Sequence, residues 1–507
     1  MALTRPVRLA ALAALLACTR PEAPPSRGRR VAEGAAVALR ASADGAYLAF
    51  LRGCRPLADR TLPPGSASCD LEVVAASGGA PRRVAEGVTS LGAGFAWGAA
   101  GHVLAALGAY DPVEGRGALV LWAGGPVRAL AQDVTYYGFD RAGARLGWVS
   151  EGRLHVASAD GSAPLVVEGA DRVSTFEFGG PRGVRLLARR STRAGAALLA
   201  LAEDARASPV AAGVQEYRFS PDGARYAFTA GPARDLVTAA AGSPLRPGPP
   251  VGREVSAFLF SSRGELAFVA DAAPGRQGDL HLLPVAGAPV RLAPRAGEPR
   301  WSADGTRLAW LQEYDPRSRT GQLAVAGAGR APEVIARTVS DFDLAPDGSA
   351  VACLVHETAG GYSVNLVLAR PGTGAPAVTV ARGVFGFSFS PDGAWLYYRT
   401  ACTREAEACD LLRIPATGLA AGARPERIAE GAKSFEFAPG RPGRLLVGWA
   451  RKDRIALDLA IWEGGALRAV DTSALPGSAQ FLGGDPARLG YVVTDPRRAG
   501  VYVAELR

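Results

Sequence analysis

The sequence is poor in lysine, histidine and methionine. Its 507 residues include two lysines, Lys433 and Lys452, four histidines and one methionine, so arginine carries nearly all of the positive charge behind the formal net charge of +9. The arginines are spread along the chain and interspersed with aspartates and glutamates. A nucleic-acid groove would concentrate positive charge on one face. The composition therefore predicts solvated surfaces and no nucleic-acid partner.

Sequence motifs for catalysis or cofactor binding are also missing. There is no Gly-x-Ser-x-Gly and no Cys-x-x-Cys, and the only Gly-Ala-Lys-Ser stretch, at 431–434, lacks the glycine spacing of a phosphate loop. The histidines, His102, His155, His281 and His356, lack the short spacing of metal ligands. We therefore expect no cofactor, no metal and no enzymatic activity.

What the sequence does contain is a repeat of roughly 40 residues. Phe-Ser-Pro-Asp-Gly at 219–223 and 389–393 precedes a second apolar strand, and related turns occur at 41–45, 301–305 and 344–348. Asp accepts hydrogen bonds from the backbone two residues on, and Gly adopts positive φ without steric cost. These carboxylates are thus expected to build turns rather than to bind calcium. Short strands at this period predict an all-β fold of the β-propeller class, with four strands, a to d, in each blade.

Eleven copies of the repeat can be aligned on the turn glycine. The aligned positions are Gly45, Gly101, Gly143, Gly183, Gly223, Gly264, Gly305, Gly348, Gly393, Gly443 and, in the last copy, Ala487. Single propellers usually have four to eight blades. We therefore expect two propellers, with one large ring as the alternative.

The two ends of the repeat region complement each other. Arg-Val-Ala-Glu-Gly at 30–34 recurs at 83–87 and, with one change, at 427–431, where it would form strand d. The last copy provides strands b and c, at 489–493 and 501–506, and then the chain stops. We predict that the N-terminal segment is the missing strand d and closes the ring, which removes both free edges.

The Ser-Pro-Asp-Gly repeats resemble the TolB-type, WD40-like propeller repeats of bacterial periplasmic proteins, over residues 31–507. In that family the repeat is a structural signature. Its members include lipoprotein-binding scaffolds of the cell envelope, propeller domains of prolyl-oligopeptidase-like peptidases, and oligogalacturonate lyases. The resemblance implies a propeller fold, and fold alone does not transfer function.

The N-terminus has the features of a secretion leader. Arg5 and Arg8 precede an apolar stretch, 9–17, that is too short to span a bilayer. Leu-Leu-Ala-Cys at 15–18 resembles the lipobox of bacterial lipoproteins, which implies removal of residues 1–17, a membrane anchor on Cys18, and a Pro-rich tether at 18–28 leading to the repeats at 29–507. Because Thr19 is not aspartate, the resemblance favours the outer membrane, facing the periplasm. The alternative is an ordinary secretory signal.

The remaining cysteines fit an oxidising compartment. Cys54 and Cys69 flank one insertion, and Cys402 and Cys409 flank another, each where two adjacent strands would be joined. We predict two local disulfides. Cys353 lies in an apolar run and reads as a buried thiol.

Loops that do not repeat are the candidate binding site. In a propeller, b–c and d–a loops emerge on one face and the Asp-Gly turns on the other. The candidate b–c loop residues are Tyr110, Asp111, Arg116, Arg234, Tyr314, Asp315, Arg317, Arg319, Arg404, Glu405, Arg451, Arg454, Asp495 and Arg497. Mixed charge with tyrosine and arginine suits a protein or peptide surface, although such loops can also be merely solvated.

Together these features predict a lipid-anchored, non-enzymatic propeller that binds an envelope protein or peptide. One alternative is a carbohydrate-binding propeller that uses aromatics and carboxylates at the channel mouth. A lyase or hydrolase is the less favoured alternative, because the histidines and candidate nucleophiles are few.

Overall fold

The computed structural model describes residues 28–506, except 58–61, 91–93, 180–185, 193–194, 202–205, 242–246, 273–276, 298, 328–330, 358–363, 404–407, 417–423 and 452–453. Side chains of residues 451, 454 and 455 are also outside the description. All regular structure in the described chain is β-strand, in 41 strands. None of the described residues form a helix long and apolar enough to cross a bilayer.

The strands form antiparallel blades. In blades 1 to 4 and 6 to 10 the chain passes in order from strand a to strand d, whereas blade 5 has strands a to c in the described chain and blade 11 takes its strand d from the N-terminal segment. Blade 1 comprises Val37–Ala41, Tyr47–Pro56, Ala67–Ala75 and Arg82–Thr89, and blade 2 comprises Phe95–Trp97, Leu104–Asp111, Arg116–Trp122 and the first part of Arg128–Phe139. Blade 3 comprises the second part of Arg128–Phe139, Arg145–Ser150, Arg153–Ser158 and Leu165–Val166. Blade 4 comprises Val173–Phe178, Leu186–Thr192, Gly195–Leu201 and Ala207–Ala212. Blade 5 comprises Val214–Phe219, Arg225–Ala230 and Asp235–Ala240, and blade 6 comprises Ala257–Phe260, Leu266–Ala270, Asp279–Leu283 and Val290–Ala293. Blade 7 comprises Arg300–Trp301, Arg307–Asp315, Thr320–Gly327 and the first part of Glu333–Leu344. Blade 8 comprises the second part of Glu333–Leu344, Val351–His356, Val364–Ala369 and Val378–Arg382. Blade 9 comprises Val384–Phe389, Trp395–Thr400, Cys409–Pro415 and Glu426–Ala432. Blade 10 comprises Ser434–Ala438, Arg441–Arg451, Arg454–Glu463 and Ala466–Ala474. Blade 11 comprises Gln480–Leu482, Asp485–Val493, Gly500–Glu505 and Arg29–Glu33.

Two long strands each serve two blades. Arg128–Phe139 and Glu333–Leu344 change register at Asp133 and Thr338, whose φ angles are 52° and 53°. Each is strand d of one blade before this point and strand a of the next blade after it. The positive φ lets the chain turn from the outer edge of one blade to the inner edge of the next without a loop.

Hydrophobic cores lie between consecutive blades. Leu187 and Leu198 of blade 4 pack with Tyr226 and Phe228 of blade 5, and equivalent clusters join every later pair. A further cluster joins blade 11 back to blade 1, and others complete the series to blade 4. Eleven clusters therefore form one closed circuit. Within the described residues every core joins consecutive blades, which corresponds to one large ring, the predicted alternative. The preferred arrangement of two propellers would need a core between non-consecutive blades.

The N-terminal strand completes the last blade, as predicted. Arg29–Glu33 pairs antiparallel with Gly500–Glu505, from Arg29 opposite Val503 to Glu33 opposite Gly500. The inner strands also meet here, because the Gln480 side chain donates to the carbonyl of Leu39 at 2.8 Å and accepts from the amide of Ala41 at 3.1 Å. The ring is closed at both its outer and its inner edge.

The Asp-Gly turns have the predicted chemistry and two further hydrogen bonds made by the serine. In blade 5, Asp222 accepts from the amide of Ala224 at 3.0 Å, and Gly223 has a φ of 66°. In addition, the Ser220 hydroxyl donates to Asp222 at 2.5 Å and accepts from the amide of Arg225 at 2.9 Å. The same arrangement recurs in blades 1, 7 and 9. Serine is therefore part of the signature because it ties the aspartate to the start of strand b.

Two degenerate copies have tighter turns than the alignment assumed. In blade 10 the pair Ala438 and Arg441 closes around Gly440, so Gly443 lies in strand b. In blade 11 the pair Leu482 and Asp485 closes around two positive-φ glycines at 483 and 484, so Ala487 is also in strand b. The prediction that Gly443 and Ala487 occupy the turn position was wrong, because a two-residue hairpin places the turn glycine a few residues closer to the N-terminus.

Candidate binding surfaces

The ring has two distinct faces. On one, here called the loop face, the b–c loops lie beside the d–a crossings: Arg116 of the blade 2 loop contacts Asp133 of the crossing at 3.3 Å. The opposite side, here called the turn face, carries the Asp-Gly turns and the c–d loops. An added Cβ on Gly264, in the turn of blade 6, would lie 3.9 Å from Val285, in the c–d loop of that blade.

Backbone groups of some Asp-Gly turns bind the neighbouring turn. The Asp44 amide donates to the Gly101 carbonyl at 3.3 Å, and the Asp304 amide donates to the Pro346 carbonyl at 3.0 Å. Hydrogen bonds lower the pKa of Asp222 below its ordinary value, and the bond from the Ser220 hydroxyl contributes more than the bond from the Ala224 amide. No group of three or more metal-ligating side chains occurs in the described chain. The turns thus link blades to one another.

Most of the predicted loop residues lie on the loop face, where several of them fix their own loops. Asp111, Asp315 and Asp495 each accept a hydrogen bond from a backbone amide two residues on, at 2.9, 2.9 and 3.0 Å. Arg234 is bound on both sides, by the carbonyl of Val255 at 2.6 Å and by the Gln215 side chain at 2.7 Å. Part of the charge that suggested a binding surface therefore holds the loops in place.

The other predicted loop residues are not brought together into one patch. Tyr110 and Tyr314 are half-buried, whereas the side chains of Arg317, Arg319 and Arg497 are exposed. They belong to blades 2, 7 and 11, which are separated around the ring. Arg404, Glu405 and the side chains of Arg451 and Arg454 lie outside the described residues.

A groove between blades 1 and 2 follows strand d of blade 1 and reaches the loop face at Arg55, Gly87 and Ala109, and sequence reasoning missed it. Two adjoining cavities of about 360 and 340 Å³ share Arg83, Glu86 and Ala109. The groove is lined by small residues and backbone, including Gly87, Gly108 and Ala118. The signal available in the sequence was this series of glycine and alanine on adjacent strands, which lets blade 2 approach blade 1 closely: an added Cβ on Gly87 would lie 3.1 Å from Ala109.

Charged side chains of both signs edge this groove. Arg83 pairs with Glu86 and lies 4.0 Å from Asp70, and Arg55 is exposed at the same end. The Cys54–Cys69 disulfide joins strands b and c directly beside them. The wall of the groove is therefore covalently stapled, and its polar groups can bind backbone or side chains of an extended ligand.

The inner strands carry aromatics and carboxylates that face the centre of the ring. Strand a residues of neighbouring blades touch, as in the edge-to-face contact of Tyr136 with Phe176 at 5.2 Å between centroids. Tyr136 and Phe385 remain 39% and 61% exposed. Burial raises the pKa of Glu177 despite an opposing hydrogen bond from the Phe219 backbone, and burial likewise raises the pKa of Asp343 and Glu436.

Beside these inner strands lies a cavity of about 550 Å³. It is lined by the turns of blades 3 and 5 and by the end of strand a of blade 4, with Arg141, Arg145, Glu177, Phe178 and Phe219 as its larger side chains. Arg141 spans the opening by donating to the carbonyl of Pro221 at 3.2 Å. Cationic, carboxylate and aromatic groups thus meet in one recess.

The histidines lie in four different blades. His155 and His281 stack on their cross-strand partners Trp148 and Phe268, with centroids 5.1 and 5.2 Å apart. His102 contacts Asp44 at 2.8 Å, and His356 contacts Ser340 at 2.8 Å. Each therefore has a local packing or hydrogen-bonding partner.

The cysteine predictions are confirmed. Disulfides join Cys54 to Cys69 and Cys402 to Cys409, with Cα separations of 4.1 and 4.0 Å, and each staples strands b and c of one blade. Cys353 is a buried free thiol, and burial raises its pKa to about 12. Such a thiol is unreactive at neutral pH.

Comparison with known proteins identifies no family for this chain. No family model matches the sequence, and no curated protein sequence matches it. Similar solved structures include a eukaryotic initiation factor (12% identity, TM-score 0.41, covering 69% of this chain and 92% of that one) and a tricorn protease (12% identity, TM-score 0.32, covering 93% of this chain and 57% of that one). Hydrazine synthase of Kuenenia stuttgartiensis is a third (13% identity, TM-score 0.27, covering 52% and 91%). At this level of similarity they carry no argument about fold or function. The strands and cores described above make the chain an all-β propeller of eleven blades.

Proposed function

We propose that this protein is a lipid-anchored scaffold of the bacterial cell envelope, facing the periplasm at the outer membrane, that binds a protein or peptide without catalysing a reaction. The observation that carries the proposal is the groove between blades 1 and 2. One end of it reaches the face where the loops do not repeat, and it combines small-residue walls with exposed charges of both signs. Grooves of this kind suit an extended peptide segment.

The lipid anchor is supported by the leader and by the disulfides. The Leu-Leu-Ala-Cys stretch at 15–18 lies outside the described residues, so the proposal for Cys18 rests on sequence. Two disulfides fit an oxidising compartment such as the periplasm. Cys18→Ala should release the protein from membranes, and continued membrane retention would count against lipidation.

The partner site can be tested by filling the groove. Ala118, in strand c of blade 2, lines it, and Gln322 holds the equivalent place in strand c of blade 7, each following a glycine and preceding a buried leucine. Ala118→Trp should abolish crosslinking of envelope proteins to a photoreactive residue placed at Arg55, whereas Gln322→Trp should leave the crosslinks unchanged. Equal crosslinking in the two variants would refute the groove as the binding site.

A second candidate function is carbohydrate binding in the cavity beside Glu177. Its phenylalanines, arginines and carboxylate are groups that stack on and hydrogen-bond to sugars. A glycan array separates the two proposals: a hit lost in Phe219→Ala and kept in Ala118→Trp would favour the carbohydrate reading over the protein partner.

A further inference from the structure

The chain enters the ring on the turn face. Arg29, at the start of the closing strand, donates to the carbonyls of Ala76, at 3.0 Å, and Ser77, in the c–d loop of blade 1. The strand ends at the opposite face, where the Gly34 amide donates to the Ala499 carbonyl in the b–c loop of blade 11, at 2.9 Å. The segment that precedes Gly28 is therefore attached at the turn face.

Exposed aliphatic side chains gather on the same side of the ring. Six of the ten exposed large apolar side chains in the described residues lie in c–d loops or at the start of strand d; they are Leu165, Val166, Val285, Val290, Val334 and Val378. Four of these, Val285, Val290, Val334 and Val378, occupy the consecutive blades 6 to 8 and are here called the aliphatic rim. Scattered exposed valines need no explanation, but a row on one edge marks a contact surface.

The length of the tether limits which face can approach a membrane. Residues 18–28 would reach about 35 Å even as a fully extended polyproline helix. A strand of six residues spans about 20 Å. A tether attached at the turn face brings that face to the bilayer directly. To present the loop face instead, it would have to run past the full height of a blade, which would use most of its reach.

We propose that the turn face is the membrane-facing surface and that the aliphatic rim of blades 6 to 8 contacts the lipid bilayer. This inference rests on the proposed lipid anchor. Blades 6 to 8 lie three to five blades away from blade 11 around the ring, so the anchor and the rim support the ring at two separated places and hold it flat. Partial insertion of aliphatic side chains adds to the affinity of an acyl anchor. The loop face, with its groove, then points into the periplasm.

The orientation can be tested with exposed valines on the two faces. Val290 lies in the rim and is 55% exposed, and Val113 lies in the b–c loop of blade 2 and is 70% exposed. The four disulfide cysteines and buried Cys353 will not compete for a thiol label. The lipidated full chain carrying Val290→Cys or Val113→Cys is labelled with a fluorophore and added to phosphatidylcholine–phosphatidylglycerol vesicles containing a headgroup nitroxide quencher. We expect several-fold stronger quenching at position 290.

Each outcome decides a separate point. A chain that fails to float with the vesicles refutes the anchor, and with it this proposal. A chain that floats but is quenched equally at both positions, or more at position 113, refutes the orientation alone. For the rim itself, Val285→Asp combined with Val334→Asp should at least halve the quenching at Val290→Cys, and unchanged quenching would refute the lipid contact.

Discussion

Ring closure by the N-terminal strand predicts a local effect of a single substitution, Val31→Ala. Val31 is 5% exposed and packs with Leu39 and Leu48 of blade 1 and with Val501 and Val503 of blade 11. Truncation removes two carbon groups worth about 0.8 kcal/mol each and leaves a cavity. Opening of the closing strand should therefore become easier by about 2–3 kcal/mol.

Thermal melting is a poor readout for this effect. Unfolding entropy is about 2.1 cal/mol/K per residue, so about 480 residues unfolding together give about 1 kcal/mol/K. The substitution would then shift Tm by only about 2–3 °C. Hydrogen exchange reports local opening directly, and the same free energy corresponds to about 30- to 150-fold faster exchange of the amides bonded to the closing strand.

The measurement is hydrogen exchange by mass spectrometry on the peptide that covers Gly500–Glu505. Val37→Ala is the matched control, because Val37 lies nearby at the start of strand a of blade 1 and is 38% exposed. Leu266–Ala270 of blade 6 should exchange at an unchanged rate in both variants. Unaltered exchange at 500–505 in Val31→Ala would refute the closure, and equal acceleration in blade 6 would refute its local character.

Three further predictions follow from the contacts described above. Asp471 is buried and accepts hydrogen bonds from Tyr491, at 2.8 Å, and from Arg498. Arg498→Met should therefore lower the free energy of unfolding, measured with denaturant, by about 3–5 kcal/mol. The exposed control, Arg497→Met, should change this free energy by less than about 0.5 kcal/mol. Ser220→Ala should cost only about 1 kcal/mol, because blade 8 carries alanine at the equivalent position, 345, and a loss above about 3 kcal/mol would contradict the turn role. Burial raises the pKa of Glu177 in the folded state above its unfolded value, so the folded protein is destabilised at a pH at which this carboxylate is charged. Glu177→Gln should therefore stabilise the protein at pH 7. The difference in unfolding free energy between variant and parent should vanish as the pH falls below about 4. A destabilised Glu177→Gln at neutral pH would be evidence against that pKa direction.

Much of the fold could be predicted because it depends on local chemistry. The turn at 219–223 is specified by residues whose hydrogen bonds and φ angles are satisfied within the turn itself. The closing strand was predictable because 30–34 repeats a strand d found elsewhere in the chain. Both disulfides followed from the position of each cysteine pair beside a b–c loop.

The size of the ring and the groove could not be predicted, because both depend on packing between blades. The angle between neighbouring blades is set by side chains such as Tyr226 and Leu198 in the shared cores, and no local pattern encodes it. The groove exists because Gly87 and Ala109 allow a close approach of blades 1 and 2. The charged loops were overvalued for a related reason: Arg234 reads as a surface charge in sequence, and in the fold it binds Val255 and Gln215.

The single closed ring is the central claim, since the two faces, the closing strand and the proposed orientation all depend on it. Electron microscopy of the purified protein, viewed along the ring axis, tests it most directly. We predict class averages with one ring of eleven blades around a central opening. Particles with two lobes, each a smaller propeller, would contradict the account.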